Sequence, residues 1–199
     1  MGIWDEYVAI RNSRFQALQF FDQRSKFILV LYARINSLSE GILILLSSGN
    51  SASPPALMRS ALESYIDLRC LVKDENYIDC MHALQASSDF RRRKNNSSDN
   101  PYCSPLDAPV LASELDELKA KTSKQLTIRQ RFEKAECRDL YYTVYKHLCL
   151  HCHGNLTSLA SKNFEKGKIV VNSRPSKVDL LVMFSATINL ALDSSIEVF

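Results

Sequence analysis

The sequence predicts an all-α fold: a single helical bundle of long antiparallel helices with one short extended arm. Apolar residues recur at helical spacing along most of the chain. The 199 residues include only five glycines and six prolines, too few for the regularly spaced turns of a β-sandwich or barrel. The apolar fraction of 46% and the charged fraction of 24% are ordinary for a globular protein, so we expect one domain spanning residues 1–199.

The first element is one very long helix, or two consecutive helices, between about Ile3 and Ser48. Its apolar residues keep a helical period: Phe20, Phe27, Leu31, Ile35, Leu38 and Ile42. This is more apolar surface than a surface helix without a partner needs, so we expect a homodimer. The hydrophilic stretch 47–51 then ends the element.

The next predicted helix, from Pro54 to Val72, is apolar on nearly every side yet carries Arg59 and Glu63 four residues apart. Ser53 is expected to be its N-cap, and Pro54 suits the first helical position. A helix of this kind belongs inside a bundle, where unpaired charges are costly. We therefore expect Arg59 and Glu63 to form a buried polar site with a neighbouring helix. The alternative is an exposed or purely structural ion pair.

Another helix is expected from about Tyr77 to Lys94, followed by a mobile surface loop at about 95–108. The loop composition is too polar and too interrupted by proline to pack. The helix end 91–94 is basic, and cations there suit the negative end of the helix dipole.

Helices are expected to resume near Pro109 and to continue, with a break around Glu136, to His153. The stretch 166–172 has a β-like pattern and is the predicted extended arm. The last helix begins at Ser176 and has an apolar face along its length.

Net charge and cysteine usage restrict the cellular setting. The formal charge of +3 permits an anionic partner but does not by itself imply nucleic acid. The acidic N-terminus lacks the apolar core of a signal peptide, so the six cysteines are expected to be reduced thiols. The most apolar stretches, 27–35 and 41–46, are separated by polar residues and Arg34, so no run approaches the roughly 20 residues of a membrane helix, and we expect a cytoplasmic protein.

Three of the four histidines lie within residues 147–153. His147 and His151 are four residues apart, as are Cys149 and His153, so each pair could share a metal ion. A closed zinc site needs two further ligands, and the sequence has no second paired Cys/His motif. We therefore expect neither a metal ion nor another cofactor.

Acid–base chemistry is the other use of this helix. His153, next to a glycine at the helix end, is expected to lie near Glu63 and Tyr145 and to transfer protons. His147 and His151 share a predicted face with Leu140 and Val144 and are expected to be core-facing histidines satisfied by hydrogen bonds.

Two short motifs carry a resemblance. Arg59-Ser60-Ala61-Leu62-Glu63 and, on a later helix, Tyr145, Leu148 and His153 resemble the Arg-Ser-x-x-Glu and Tyr-x-x-Leu-Ser-x-x-x-His motifs of a largely uncharacterised family of bacterial helical proteins. Cys149 stands where that family usually has serine. The resemblance covers about residues 53–192 and implies a helical fold with a shared polar pocket. It brings no established activity.

The chain is more distantly similar to the HEPN class of helical ribonucleases, which act in toxin and phage-defence systems. That class places Arg and His together at a dimer interface. Its contiguous Arg-x(4-6)-His signature is absent here. Basic residues that could neutralise RNA phosphates do recur at helical spacing around Phe132: Arg129, Arg131, Lys134 and Arg138.

Together these features predict a stress or phage-defence protein that cleaves RNA without a metal ion. His153 would be the general acid and base, and Arg59 would stabilise the phosphorane charge. Glu63 would orient either His153 or Arg59, and Tyr145 would position the substrate. The expected partners are RNA, a second copy of the chain and a protein from the same operon. The alternative is a non-catalytic binding or sensing module in a defence or regulatory system.

Overall fold

The computed structural model describes residues 2–18, 22–50, 52–94, 116–117, 120, 124–152, 156–165, 167–170 and 176–199. The fold is all-α, as predicted. The helical elements are α1 (Ile3–Ala17), α2 (Gln23–Ser47), α3 (Pro54–Lys73), α4 (Tyr77–Lys94), α5 (Ile128–Lys134), α6 (Arg138–Leu140), a π-helical segment (Tyr141–Tyr145), α7 (Lys146–Cys152), α8 (Leu156–Asn163) and α9 (Lys177–Val198).

Within these ranges the extended structure is one antiparallel hairpin of two short strands, β1 (Phe164–Glu165) and β2 (Lys168–Ile169). Gly167 lies in its turn with a φ of 77°, a conformation that favours glycine. The predicted arm therefore begins slightly earlier than residue 166. The predicted mobile loop at 95–108 lies outside the described residues.

The ends of several helices follow from local chemistry. α2 begins after Asp22, whose carboxylate accepts a hydrogen bond from the Ser25 N–H at 2.6 Å. α9 begins after Ser176, whose hydroxyl accepts from the Asp179 N–H at 3.1 Å. Side-chain caps of this kind satisfy backbone N–H groups that have no partner within the helix.

Ser53 occupies the N-cap position of α3, but its side chain makes no capping hydrogen bond. A capping side chain accepts from the second or third helical N–H, and the second residue, Pro55, has none. The third N–H, that of Ala56, bonds the Ser53 backbone oxygen at 3.1 Å. Ser53 is therefore the N-cap, as predicted, but it caps the helix through its backbone oxygen and not through its side chain.

α3 is the central helix of the bundle and packs against α2, α9, α5 and α7. It runs antiparallel to α2, because the Arg24 guanidinium at the start of α2 bonds the Leu71 and Val72 carbonyls near the end of α3, at 2.8 Å each. Residues with almost no exposure form the centre of the core: Ile35, Ile42, Ile66, Leu68, Leu71 and Phe132.

The break predicted around Glu136 is confirmed. α5 ends at Lys134, and α6 begins at Arg138. Between them Glu136 has a φ of 57°, a left-handed conformation that is uncommon outside glycine. The chain then continues through the π-helical segment into α7, which packs against the central helix α3.

Two helices, α2 and α9, are long and apolar enough to cross a membrane when judged by length and composition alone. The core helices of soluble proteins pass the same test, and α2 carries the buried polar residues Asn36 and Ser39. The absence of a membrane helix and the cytoplasmic location therefore stay predictions.

Candidate functional site

The structure brings three of the four predicted site residues together. The Tyr145 hydroxyl donates a hydrogen bond to Glu63 Oε1 at 2.7 Å. Arg59 Nε lies 3.1 Å from the same carboxylate oxygen and donates to the Tyr145 hydroxyl at 3.3 Å. The three groups form one network between α3 and the π-helical segment. The fourth predicted residue, His153, lies outside the described residues.

This network is only half-buried. The side chains of Arg59 and Glu63 are 29% and 30% exposed, whereas the sequence predicted a buried site. Tyr145, at 5% exposure, covers the pair on one side, and Arg59 lines an open groove. The buried neighbours of the pair on α3, Leu62 and Ile66, are apolar, but the longer side chains of Arg59 and Glu63 reach past them to the groove, so the apolar composition of the helix predicted too much burial.

Burial raises the pKa of Tyr145, and the hydrogen bond to Glu63 raises it further. The phenol therefore stays protonated at neutral pH and cannot serve as a phenolate base. Its hydrogen bond to Arg59 raises the pKa of that guanidinium, which is always charged under ordinary conditions. Arg59 is thus a fixed positive charge whose position is set by Glu63 and Tyr145.

The groove next to Arg59 has a volume of about 720 Å³ and combines aromatic rings with cations. Lys146 Nζ lies 4.9 Å from the centre of the Tyr142 ring, and Arg59 Cζ lies 5.5 Å from that of Tyr145. Both distances are within the range of cation–π attraction. The other residues that line the groove are Ile128, Tyr141, Thr143, His147, Cys149 and Leu150.

The π-helical segment determines how the tyrosines are arranged. Tyr141 and Tyr145 stack with ring centres 5.6 Å apart and planes 17° from parallel. A π-helical turn takes one more residue than an α-helical turn, and such segments are frequent at functional sites. The sequence does not predict this segment, and the cluster of tyrosines is its one visible sign.

The same segment explains why His147 does not face the core as predicted. The extra residue shifts α7 around the helix axis relative to α6, so the face shared with Leu140 in a regular helix is not maintained. Leu148 is buried, whereas His147 is exposed and lines the groove, and His151 is half-buried. The Nε2 atoms of His147 and His151 are 3.1 Å apart.

A second polar network, which the sequence analysis missed, lies deeper in the bundle. Arg131 donates from Nε and Nη2 to the two Asp67 carboxylate oxygens at 2.8 and 2.5 Å. The Tyr77 hydroxyl donates to the same carboxylate at 2.6 Å. One signal was available, because Arg59, Glu63 and Asp67 lie four residues apart along one side of α3.

This network changes the interpretation of the predicted basic run. Arg131 is 8% exposed and is neutralised by Asp67, while Lys134 and Arg129 form ion pairs with carboxylates at 2.6 and 2.9 Å. Arg138 is the remaining cation of the run, and its guanidinium lies 5.9 Å from the Tyr142 ring centre. Most of the run is therefore paired with carboxylates, and the cations that line the groove, Arg59 and Lys146, are a different set.

The described part of the chain contains no cluster of three or more His, Cys, Asp or Glu side chains that could hold a metal ion. Its cysteines, Cys70, Cys80, Cys137, Cys149 and Cys152, are free thiols. A closed structural metal site is therefore not found among these residues.

Comparison with known proteins identifies a family but no activity. No curated protein matches the chain, and no solved structure matches it. A family model matches residues 25–168, more than half of the chain, and its description is a family of unknown function, DUF5677. The chain belongs to this family.

Proposed function

We propose that the groove next to Arg59 binds single-stranded RNA, and that the protein is a stress or phage-defence protein of HEPN-like type acting on that RNA. The observation that carries the proposal is the combination of three tyrosine rings and two cations in one open groove. Aromatic side chains stack on unpaired bases, and neighbouring cations neutralise phosphates.

The charges in the groove support an anionic ligand. Glu63 partly neutralises Arg59, which lies within 3.1 Å of it. Lys146 has no carboxylate partner within ion-pair distance in the described ranges, and its ammonium lies over the rings of Tyr141 and Tyr142 at 5.7 and 4.9 Å. The positive charge of Lys146 is therefore available to a phosphate, and it lies next to the tyrosine rings on which a base would stack.

Cleavage is the more specific part of the proposal. The ribose 2′-hydroxyl would attack the adjacent phosphorus and lose its proton, and the 5′-oxygen would leave with a proton. His153 would carry out these transfers, and Arg59 would stabilise the charge on the phosphorane. Glu63 would orient Arg59, and Tyr145 would position the substrate without changing its own protonation.

The homodimer, the partner from the same operon and the cytoplasmic location belong to the same proposal. Exposed apolar side chains on α9 support a second copy as a partner, with Val178, Leu181 and Val182 each more than 60% exposed. The other two parts rest on the sequence alone.

Binding is tested with fluorescently labelled single-stranded RNA titrated with the full chain at several salt concentrations. Lys146→Ala is expected to weaken binding and to reduce the slope of log K against log salt by about 0.7, the value for one phosphate contact on a single strand. Lys177→Ala is the matched control, since Lys177 is an exposed lysine of α9 outside the groove. If both variants change the affinity and the salt slope equally, the proposal that this groove binds RNA is refuted.

Cleavage is tested separately with total cellular RNA, with and without divalent metal. His153→Ala should reduce the cleavage rate by about 10²- to 10⁴-fold and leave RNA affinity unchanged. If the RNA stays intact after long incubation with wild-type protein, the proposed ribonuclease activity is refuted.

A non-catalytic binding or sensing module is the second candidate. The observation that favours it is that Arg59, Glu63 and Tyr145 satisfy one another across two elements, as groups in a structural network do. RNA binding with the predicted Lys146 dependence but without cleavage would select this candidate.

A further inference from the structure

We propose that His147 and His151 form a binding site for one divalent ion of a late first-row transition metal, such as cobalt, nickel, copper or zinc. The site differs from the closed zinc site considered in the sequence analysis, because it uses two ligands from one helix. It does not depend on the RNA proposal and stands if that proposal is wrong.

The distance between the two ring nitrogens is the main evidence. If both Nε2 atoms lie about 2.05 Å from one ion, as in zinc–imidazole coordination, their separation of 3.1 Å corresponds to an angle of about 98° at the metal. This angle lies between about 90° for octahedral and about 109° for tetrahedral coordination. The nitrogens are therefore already spaced as two ligands of one ion.

Little has to move for an ion to bind. The ring centres are 4.6 Å apart with planes at 73°, and the two Nε2 atoms already face each other at hydrogen-bond distance. In the metal-free protein this contact is an N–H···N hydrogen bond, and the donating ring must move its proton to Nδ1 before it binds an ion. Small rotations about the soft χ2 torsions then direct both lone pairs at one point.

The surroundings suit an exchangeable ion of this class. Neutral imidazole nitrogens are ligands for late transition metals, whereas magnesium and calcium prefer oxygen. His147 is exposed, so the ion can reach the site from solvent. Within the described ranges no third His, Cys, Asp or Glu side chain joins the two histidines, so the remaining coordination positions there are open to water.

The test is calorimetric titration of untagged full-length protein with Co²⁺ or Ni²⁺. We expect one ion per chain, and His147→Gln or His151→Gln should each weaken binding at least about tenfold, because the second ligand then no longer acts at high effective concentration. His82→Gln is the matched control, since His82 is an exposed histidine of α4, and it should bind as wild type does. Circular dichroism verifies that each variant remains folded.

The cobalt absorption spectrum distinguishes the ligand types. Nitrogen and oxygen ligation gives no thiolate-to-metal charge-transfer band, and that is the expected result. A thiolate band, loss of binding in His153→Gln, unchanged binding in both His147→Gln and His151→Gln, or no binding by wild-type protein would each overturn the two-histidine assignment.

Discussion

Asp67→Ala should destabilise the protein more than any single change at the groove. The Asp67 carboxylate accepts two hydrogen bonds from Arg131 and one from Tyr77. The side chains of Arg131 and Asp67 are only 10% and 14% exposed, so water cannot replace the lost carboxylate. The substitution leaves a buried guanidinium without its counter-charge and a buried phenol without its acceptor.

The magnitude follows from this burial. Removing one partner of a buried ion pair costs about 3–5 kcal/mol, against a total stability of about 5–15 kcal/mol for an ordinary domain. For a chain of this size each kcal/mol corresponds to about 2–4 °C in Tm, so the expected decrease is about 6–20 °C. The exposed pair Arg129–Glu133 gives the contrast, because Glu133→Ala should cost about 0.5 kcal/mol or less.

Urea denaturation of the two variants and wild type measures the difference directly. The double variant Asp67→Leu with Arg131→Met is the third arm, since replacing a buried pair by apolar side chains is often neutral. It should recover most of the lost stability. If Asp67→Ala and Glu133→Ala unfold at the same urea concentration, the reasoning from burial is refuted.

Four further predictions concern the groove, the reactivity of the thiols, the pH dependence of stability and metal removal. Glu63→Ala should cost about 1–2 kcal/mol in urea denaturation, less than Asp67→Ala because its site is half exposed, and an equal or larger loss would contradict this. Burial raises the pKa of the Cys70 thiol to about 12, so iodoacetamide should modify Cys149 and leave Cys70 intact in native protein, as peptide mass spectrometry would show. In this pH range folded Cys70 keeps its proton, whereas the thiol of the unfolded chain ionises. The free energy of unfolding should therefore decrease as the pH rises from about 9 towards 12, and an increase in the free energy of unfolding would contradict the prediction. EDTA should leave Tm unchanged, since both proposed metal ligands belong to one helix, and unfolding on chelation would show a structural metal.

Helix positions were the most predictable part of the fold. α3 and α4 occupy 54–73 and 77–94, within one residue of the prediction. Proline, serine and short hydrophilic breaks determine helix ends through local chemistry, so a single sequence is enough to find them. The sequence also predicted that Arg59, Glu63 and Tyr145 lie close together. That prediction came from two charges on an apolar helix and from the resemblance of two short motifs to those of a helical family.

Interactions between distant parts of the chain were not predictable. Asp67 and Arg131 are 64 positions apart, and although the spacing along α3 marks Asp67, nothing in the sequence identifies Arg131 as its partner. Arg131 was therefore grouped with exposed cations. The exposure of His147 was missed for a different reason, because helical periodicity assumes 3.6 residues per turn and the π-helical segment does not keep that period.

The π-helical segment also determines how the chain tolerates insertions and deletions. Converting Tyr141–Tyr145 to a regular α-helix at constant length would rotate α7 by about 100° and move Leu148 out of the core. Removing one residue at the same time would cancel that rotation. We therefore expect the packing of Leu148 to tolerate the loss of one residue here, whereas the arrangement of the tyrosines depends on the extra residue. A variant lacking the exposed Thr143 should therefore keep most of its unfolding free energy and lose RNA affinity, and the opposite pattern would show that the extra residue supports the core.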